Sequence, residues 1–211
     1  MEKTIVIGTV SLAFFILITG FYIPYYNHGL FFENFIENEV MIKNTGEIYA
    51  DFRDYMDKGI FNYKRTELIS DFTNDEQSHI TDVKKIIDWL RVLYYAAVVL
   101  IVTSLILMLM EEDPVRSLAK TLMYGGISSL FVIVVFGTFA FISFDTFWIF
   151  LHKILFDGNW MFAPTNLLLI LFPETFQREI AIRVIMMISI LSAISAGIGL
   201  VLNHQTKSSS S

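Results

Sequence analysis

Apolar residues dominate four stretches of the chain, about Thr4 to Ile23, Leu90 to Met110, Thr121 to Ile142 and Ile180 to Leu202. A helix needs roughly 20 such residues to cross the hydrocarbon of a bilayer. Lipid offers the backbone no hydrogen-bond partner, so each run is predicted to be a helix. The first run follows Lys3 and could pass for a secretory signal. It is longer than the apolar part of such signals and lacks a small-x-small cleavage site, so it reads as an uncleaved anchor.

Between the runs lie two segments of different character, 24–89 and 143–179. In the first, Ile48, Phe52 and Tyr55 recur at helical spacing and Gly59 closes the run, which predicts an amphipathic helix over Glu47 to Lys58. Val40 to Lys43 and Ile60 to Tyr63 are expected to pair as short strands. Thr73 followed by Glu76 is a capping-box pattern. From there Ile80, Val83, Ile87 and Leu90 keep a helical period into the second run, so one long helix is expected from about Asn74 through the membrane.

The second segment is nearly as apolar as a span, but Phe144 to Phe156 and Trp160 to Phe172 are each too short to cross. With the turn signal Asp157-Gly158-Asn159 between them, they predict a hairpin of interfacial elements. Pro173 suits the approach to the fourth span. The fold expected is an all-α membrane protein: one domain over 1–211, four transmembrane helices, and extracytoplasmic loops (amphipathic helix, short strands, interfacial hairpin) capping the outer face.

Composition agrees with the pattern. Hydrophobic residues make up 55% of the 211 and charged residues only 17%, against about a quarter in soluble domains. The net charge of −6 and the lack of a basic stripe argue against nucleic acid as a partner. With no cysteine there is no disulfide, thiolate metal site or thiol nucleophile. Segment 24–89 holds thirteen acidic and seven basic residues and so carries the whole net charge. Lys3, Arg116, Lys120 and Lys207 favour cytoplasmic termini, with Lys153 and Arg178 on the opposite side.

Four histidines are the candidate chemistry: His28, His79, His152 and His204. His204 follows the last span in a polar tail, and Asn27-His28-Gly29 reads as a turn. His79 and His152 lie in the two outer segments. They read either as interfacial histidines among aromatic and carboxylate neighbours or as a titratable pair over a cleft, suited to proton transfer near neutral pH. Glu76-x-x-His79 has the form of a di-iron ligand pair, but the spans offer no second copy. A zinc site from His79, His152 and Asp82 or Glu76 stays open as an alternative.

No nucleophile elbow, P-loop or zinc-protease motif is present. Gly125-Gly126 and Ser128-Ser129 suit close helix packing better than catalysis. Arg183, one turn inside the fourth span, either snorkels to the interface or binds an anionic or carbonyl-rich head group. Tyr25, Tyr26, Asp157 and Trp160 are cleft candidates by position.

Two of these stretches carry a resemblance. Asp71-Phe-Thr-x-x-Glu76-x-x-His79-x-x-Asp82-Val83-Lys84 resembles the first motif of the bacterial lipoprotein intramolecular transacylase family. Phe147-x-x-Phe150-x-His152-x-x-x-Phe156-x-x-x-Trp160, then Leu171-Phe-Pro173-Glu-x-Phe176, resembles the second. The four-span layout, the long first outer loop and the length match as well.

The resemblance implies transfer of an acyl chain from the glyceryl sn-2 ester of a diacylglyceryl lipoprotein to the α-amine of its N-terminal cysteine. The product is the lyso-form lipoprotein of certain Gram-positive bacteria. The family's two histidines fall on His79 and His152, and Glu76 or Asp82 would orient His79. The enzyme would sit in the bacterial cell membrane with its active site outside, in contact with membrane lipid. No cofactor is implied, because nucleophile and electrophile sit on one substrate. A membrane hydrolase using the same histidines, or a non-enzymatic subunit of a membrane complex, are the alternatives.

Overall fold

The computed structural model describes residues 2–27, 29–31, 33, 44–158 and 160–208. Its helices are α1 (Glu2–Tyr25), α2 (Thr45–Asp57), α3 (Asn74–Met108), α4 (Pro114–Ile142), α5 (Phe144–Leu155), α6 (Leu167–Leu171) and α7 (Glu174–Ser208), with a 3-10 turn at Thr66–Ile69. Four of them, α1, α3, α4 and α7, are long and apolar enough to cross a membrane. At 35 residues, α3 is about 52 Å long, well beyond the roughly 30 Å of a hydrocarbon core. The chain forms two compact units, each assembled from separate segments.

The first unit comprises Met1–Tyr26, Val92–Phe141 and Ile182–Ser211. Ile16, Ile133 and Ile188 form its buried centre, with Leu12, Leu130 and Val184 packed around them. Outward residues such as Val10 on α1, Val102 on α3, Phe131 on α4 and Ile194 on α7 are at least half exposed and apolar, as hydrocarbon requires and water would penalise. Small residues set the approach of α4 to α7. A Cβ on Gly126 would come within 2.6 Å of the Ala196 amide nitrogen and the Ser192 carbonyl oxygen. Ser129 meets Ser192 at 2.8 Å, fully buried. These glycines and serines therefore serve helix packing, as their spacing implies. Asp113 caps α4 by accepting from the Arg116 amide at 3.0 Å, with Pro114 in the first helical position.

The second unit comprises Asn27–Arg91 and Ile142–Ala181. An aromatic core joins its parts: Phe31 packs against Tyr49, Phe172 and Phe176, and Phe52 against Phe72 and Phe172. The α2 face differs by one position from the expected one. Tyr49, Arg53 and Met56 are buried while Ile48 and Phe52 are half-buried, and Tyr55 is shared by both readings. Arg53 tolerates burial because Asp57 pairs with it at 2.8 Å and the Phe31 ring lies under its guanidinium.

Two further sequence expectations are corrected. Ile60 to Tyr63 is a turn and irregular chain, not a strand, and no strand occurs among the described residues. Asp88 reaches that turn by accepting from the Phe61 amide at 3.0 Å, a bond a hairpin ladder would have used otherwise. Val40 to Lys43, His28 and Asn159 lie outside the described residues. Of the two apolar arms, Phe144–Leu155 is a helix, while the second is irregular until α6 at Leu167.

A buried ionic group ties α2 to α3. The Lys84 ammonium donates to the Met56 carbonyl at 3.1 Å and lies 3.4 Å from Asp88, both side chains fully buried. Arg91 pairs with Asp88 at 2.9 Å and Asp57 at 3.0 Å, and also donates to the Met56 carbonyl. Two cations thus meet the carbonyl end of α2, where the helix dipole favours positive charge. Tyr55 and Thr81 add a hydroxyl–hydroxyl bond of 2.8 Å.

Candidate active site

His79 is placed by the start of α3, ahead of the apolar run that begins at Leu90. Thr73 and Glu76 form the capping box that begins this helix at Asn74: Glu76 Oε2 accepts from the Thr73 amide at 2.9 Å and from its hydroxyl at 2.8 Å. The other oxygen, Oε1, accepts from the Leu168 amide at 2.7 Å, fastening the first turn of α3 to α6. Glu76 is fully buried, and none of its hydrogen bonds goes to His79. Its role is to hold chain segments together, and the expectation that it orients His79 is not met.

His152 is placed by the last turn of α5. Its Nδ1 donates to the Trp148 carbonyl at 2.9 Å, one turn back on the same helix. A carbonyl can only accept, so the proton of the neutral ring resides on Nδ1 and the lone pair on Nε2. Trp148 and Trp160 flank the ring at 4.6 and 5.1 Å between centroids.

The two imidazoles meet. Their centroids lie 6.0 Å apart with the planes 21° from parallel. Phe156 packs on both, at 4.6 Å from His79 and 5.3 Å from His152, and Phe162 closes on His79 at 5.4 Å. His79 is 7% exposed and its Nδ1 is buried with no hydrogen-bond partner. Burial pushes its pKa down to about 4, helped by the neighbouring His152 and opposed by Asp82. Burial lowers His152 as well, against the raising effect of its bond to Trp148. At neutral pH both rings are therefore uncharged. One polar atom of the pair, His79 Nδ1, has no protein partner within this aromatic wall.

Beside the pair runs a cleft of about 470 Å³ with Ser78, Asp82, Lys85, Phe156 and Asp157 in its walls. Asp82 pairs with Lys85 at 2.8 Å, both about half exposed, and Asp157 is exposed. His79, His152, Glu76, Asp82, Asp157 and Trp160 thus belong to one unit. Tyr25, Tyr26 and Arg183 belong to the other, where Tyr25 and Tyr26 form an aromatic cluster with Phe21 and Tyr22 and Arg183 is half-buried on α7. His204 is exposed on α7, whose helix continues past it. Among the described residues no three histidine or carboxylate side chains converge as a metal site.

Three contributors to this site were not singled out for it in the sequence, and Phe156 was named only as part of the second motif. Trp148 lies one helical turn before His152, a spacing that could have flagged it. Phe162 and the Leu168 amide sit in irregular chain or at a short helix start, where no periodicity points to them.

The family profile for lipoprotein intramolecular transacylase Lit matches residues 3–177. A search of curated proteins finds no match. Among solved structures, the chain is similar to the membrane-integral lipoprotein intramolecular transacylase Lit from Bacillus cereus, with a TM-score of 0.82, 20% identity, and coverage of 98% of this chain and 97% of that one. A His-to-Arg variant of the same protein matches with a TM-score of 0.76 at 20% identity over 99% and 94% of the two chains. A His-to-Ala variant gives 0.76 at 19% identity over 98% and 94%. The shared fold agrees with the all-helical architecture and its four long apolar helices. With the profile match covering most of the chain, the chain belongs to the Lit family of membrane-integral lipoprotein intramolecular transacylases.

Proposed function

We propose that the chain moves the sn-2 acyl group of a diacylglyceryl-cysteine onto the α-amine of the same cysteine, with His79 and His152 as the catalytic pair. The observation that carries this reading is the stacking of two neutral imidazoles, one with its Nε2 lone pair fixed by the Trp148 carbonyl.

The α-amine has a pKa near 8 and must be unprotonated to attack. Its nitrogen adds to the ester carbonyl carbon, and His152 Nε2 takes the proton that the new C–N bond releases. Burial disfavours the imidazolium so formed, so the proton passes readily to the glyceryl oxygen as the C–O bond breaks. His79 stays neutral and offers its N–H to the carbonyl oxygen, where negative charge develops. The products are an N-acyl cysteine and a free glyceryl hydroxyl, with no atom gained or lost. Amine and ester share one molecule, so folding the substrate into reach supplies much of the acceleration.

The site faces outside in this proposal, with both termini cytoplasmic. Lys3, Arg116, Lys120 and Lys207 support that orientation. The substrate is a diacylglyceryl lipoprotein anchored in the outer leaflet of a bacterial plasma membrane.

The test is purified protein with a synthetic diacylglyceryl lipopeptide bearing a free α-amine. Intramolecular transfer blocks the amine at constant mass. Loss of one acyl mass with the amine still free would make the protein a hydrolase, and an unchanged peptide would leave it without this activity.

A further inference from the structure

The proposed reacting centre must serve two substrate parts of opposite polarity, and the second unit offers a surface for each. The helix carrying His152 exposes Ile149, Phe150 and Ile154, an apolar face that suits acyl chains or lipid. The cleft beside Phe156 is mainly polar, lined by Ser78, Asp82, Lys85 and Asp157 together with Ile86 and Leu155. Phe156 belongs to both the cleft wall and the packing on the two imidazoles, so the cleft begins one ring's width from them.

The charges in the cleft are unequal. Asp82 is matched by Lys85 at 2.8 Å. Asp157 has no hydrogen bond or ion pair among the described residues and is exposed in the chain after α5. Two carboxylates against one ammonium leave a net negative wall with one carboxylate unspent.

We propose that this cleft is the subsite for the polypeptide beyond the acylated cysteine, and that Asp157 favours a cationic side chain in its first residues. The proposal rests on the transacylase reading, because it places the cysteine at the histidine pair. The acyl chains leave towards the apolar face of α5. The polypeptide, which must keep its backbone amides solvated or bonded, leaves through the polar cleft. Asp157 acts on which substrate is held, not on the bonds that change.

The experiment uses the full-length protein and three diacylglyceryl lipopeptides that differ only in the residue after cysteine: Lys, Gln or Glu. Conversion is followed as amine loss at constant mass, and kcat/KM is compared between wild type, Asp157→Asn and Asp157→Lys. Wild type is expected to favour the Lys peptide over the Glu peptide about three- to fivefold, the strength of a solvent-exposed charge pair. That ratio should fall towards one in Asp157→Asn and below one in Asp157→Lys, and it should shrink with added salt. Equal rates on all three peptides in wild type would overturn the proposal, as would a Lys preference that survives Asp157→Lys. If no peptide is converted at all, the transacylase reading fails and the subsite goes with it, an outcome distinct from conversion without preference.

Discussion

Glu76 Oε1 accepts the Leu168 amide at 2.7 Å, joining residues 92 positions apart. The same carboxylate closes the capping box of α3, so one buried side chain sets both where that helix starts and where α6 is held. Glu76→Ala should lower stability by about 2–3 kcal/mol, as expected when buried donors lose a charged acceptor. Glu76→Gln keeps an acceptor oxygen and should lose less. Thermal unfolding in detergent of the two variants checks this order, and equal losses would show that the ionised carboxylate, not an acceptor oxygen of the same volume, is what these bonds require.

Removal of either imidazole should be severe. His79→Asn and His152→Asn are each expected to cut kcat by about 10²–10⁴-fold while leaving the melting temperature within a few degrees. The double variant should be little worse than the poorer single one, because groups acting as a unit are not additive. Single-turnover amine loss on the lipopeptide measures all three.

The rings also set a pH dependence. Both histidines are held below their ordinary value, His79 at about 4, mainly by burial. Their neutral forms are therefore already in place above pH 6.5. The rise of rate between about pH 6.5 and 8 should follow the substrate amine instead, whose pKa is near 8. Stability has the corresponding sign. A folded pKa below the unfolded one means protonation favours the unfolded chain. The contribution is complete above about 6.5 and is lost as pH falls towards 4. His79→Gln should flatten part of the decline in melting temperature over that window; a decline as steep as wild type's would rule out His79 as its source.

The buried ion group predicts an asymmetry. Asp88→Ala leaves Lys84 enclosed without its carboxylate, and burial already holds that ammonium below its ordinary pKa. A loss of about 3–5 kcal/mol is expected. Lys84→Met should cost much less, since Asp88 keeps Arg91 and the Phe61 amide. Denaturation of the two variants side by side decides it.

How much of this was legible depends on which forces are local. The four apolar helices and the long helix from Asn74 are written in periodicity and in a capping box, both read within one turn. The histidines were legible as residue types in suggestive segments. Their meeting was left open by the residues themselves and implied only by the family resemblance, because it depends on the Glu76–Leu168 bond and on the Phe156 and Phe162 packing, which join distant parts of the chain. The buried face of α2 differs by one position from its apolar pattern because an arginine, Arg53, lies in it. Hydrophobic periodicity scores such a residue as exposed, whereas its ion pair and the Phe31 ring make burial tolerable. Ile60 to Tyr63 has the composition of a strand, but Gly59 and Phe61 both adopt positive φ there, at 78° and 57°, which turns the chain.

The bond from His152 Nδ1 to the Trp148 carbonyl lies within a single helix, and that restricts how this family can vary in length here. Each residue added to a helix rotates the remainder of it by about 100°. An insertion between Phe144 and His152 would swing the imidazole away from His79, however faithfully every side chain were kept. An insertion in the irregular chain after Phe162 and before Asn166 would leave the ring and its aromatic neighbours where they are. Natural relatives should therefore tolerate gaps in that connection and none across the first nine residues of α5.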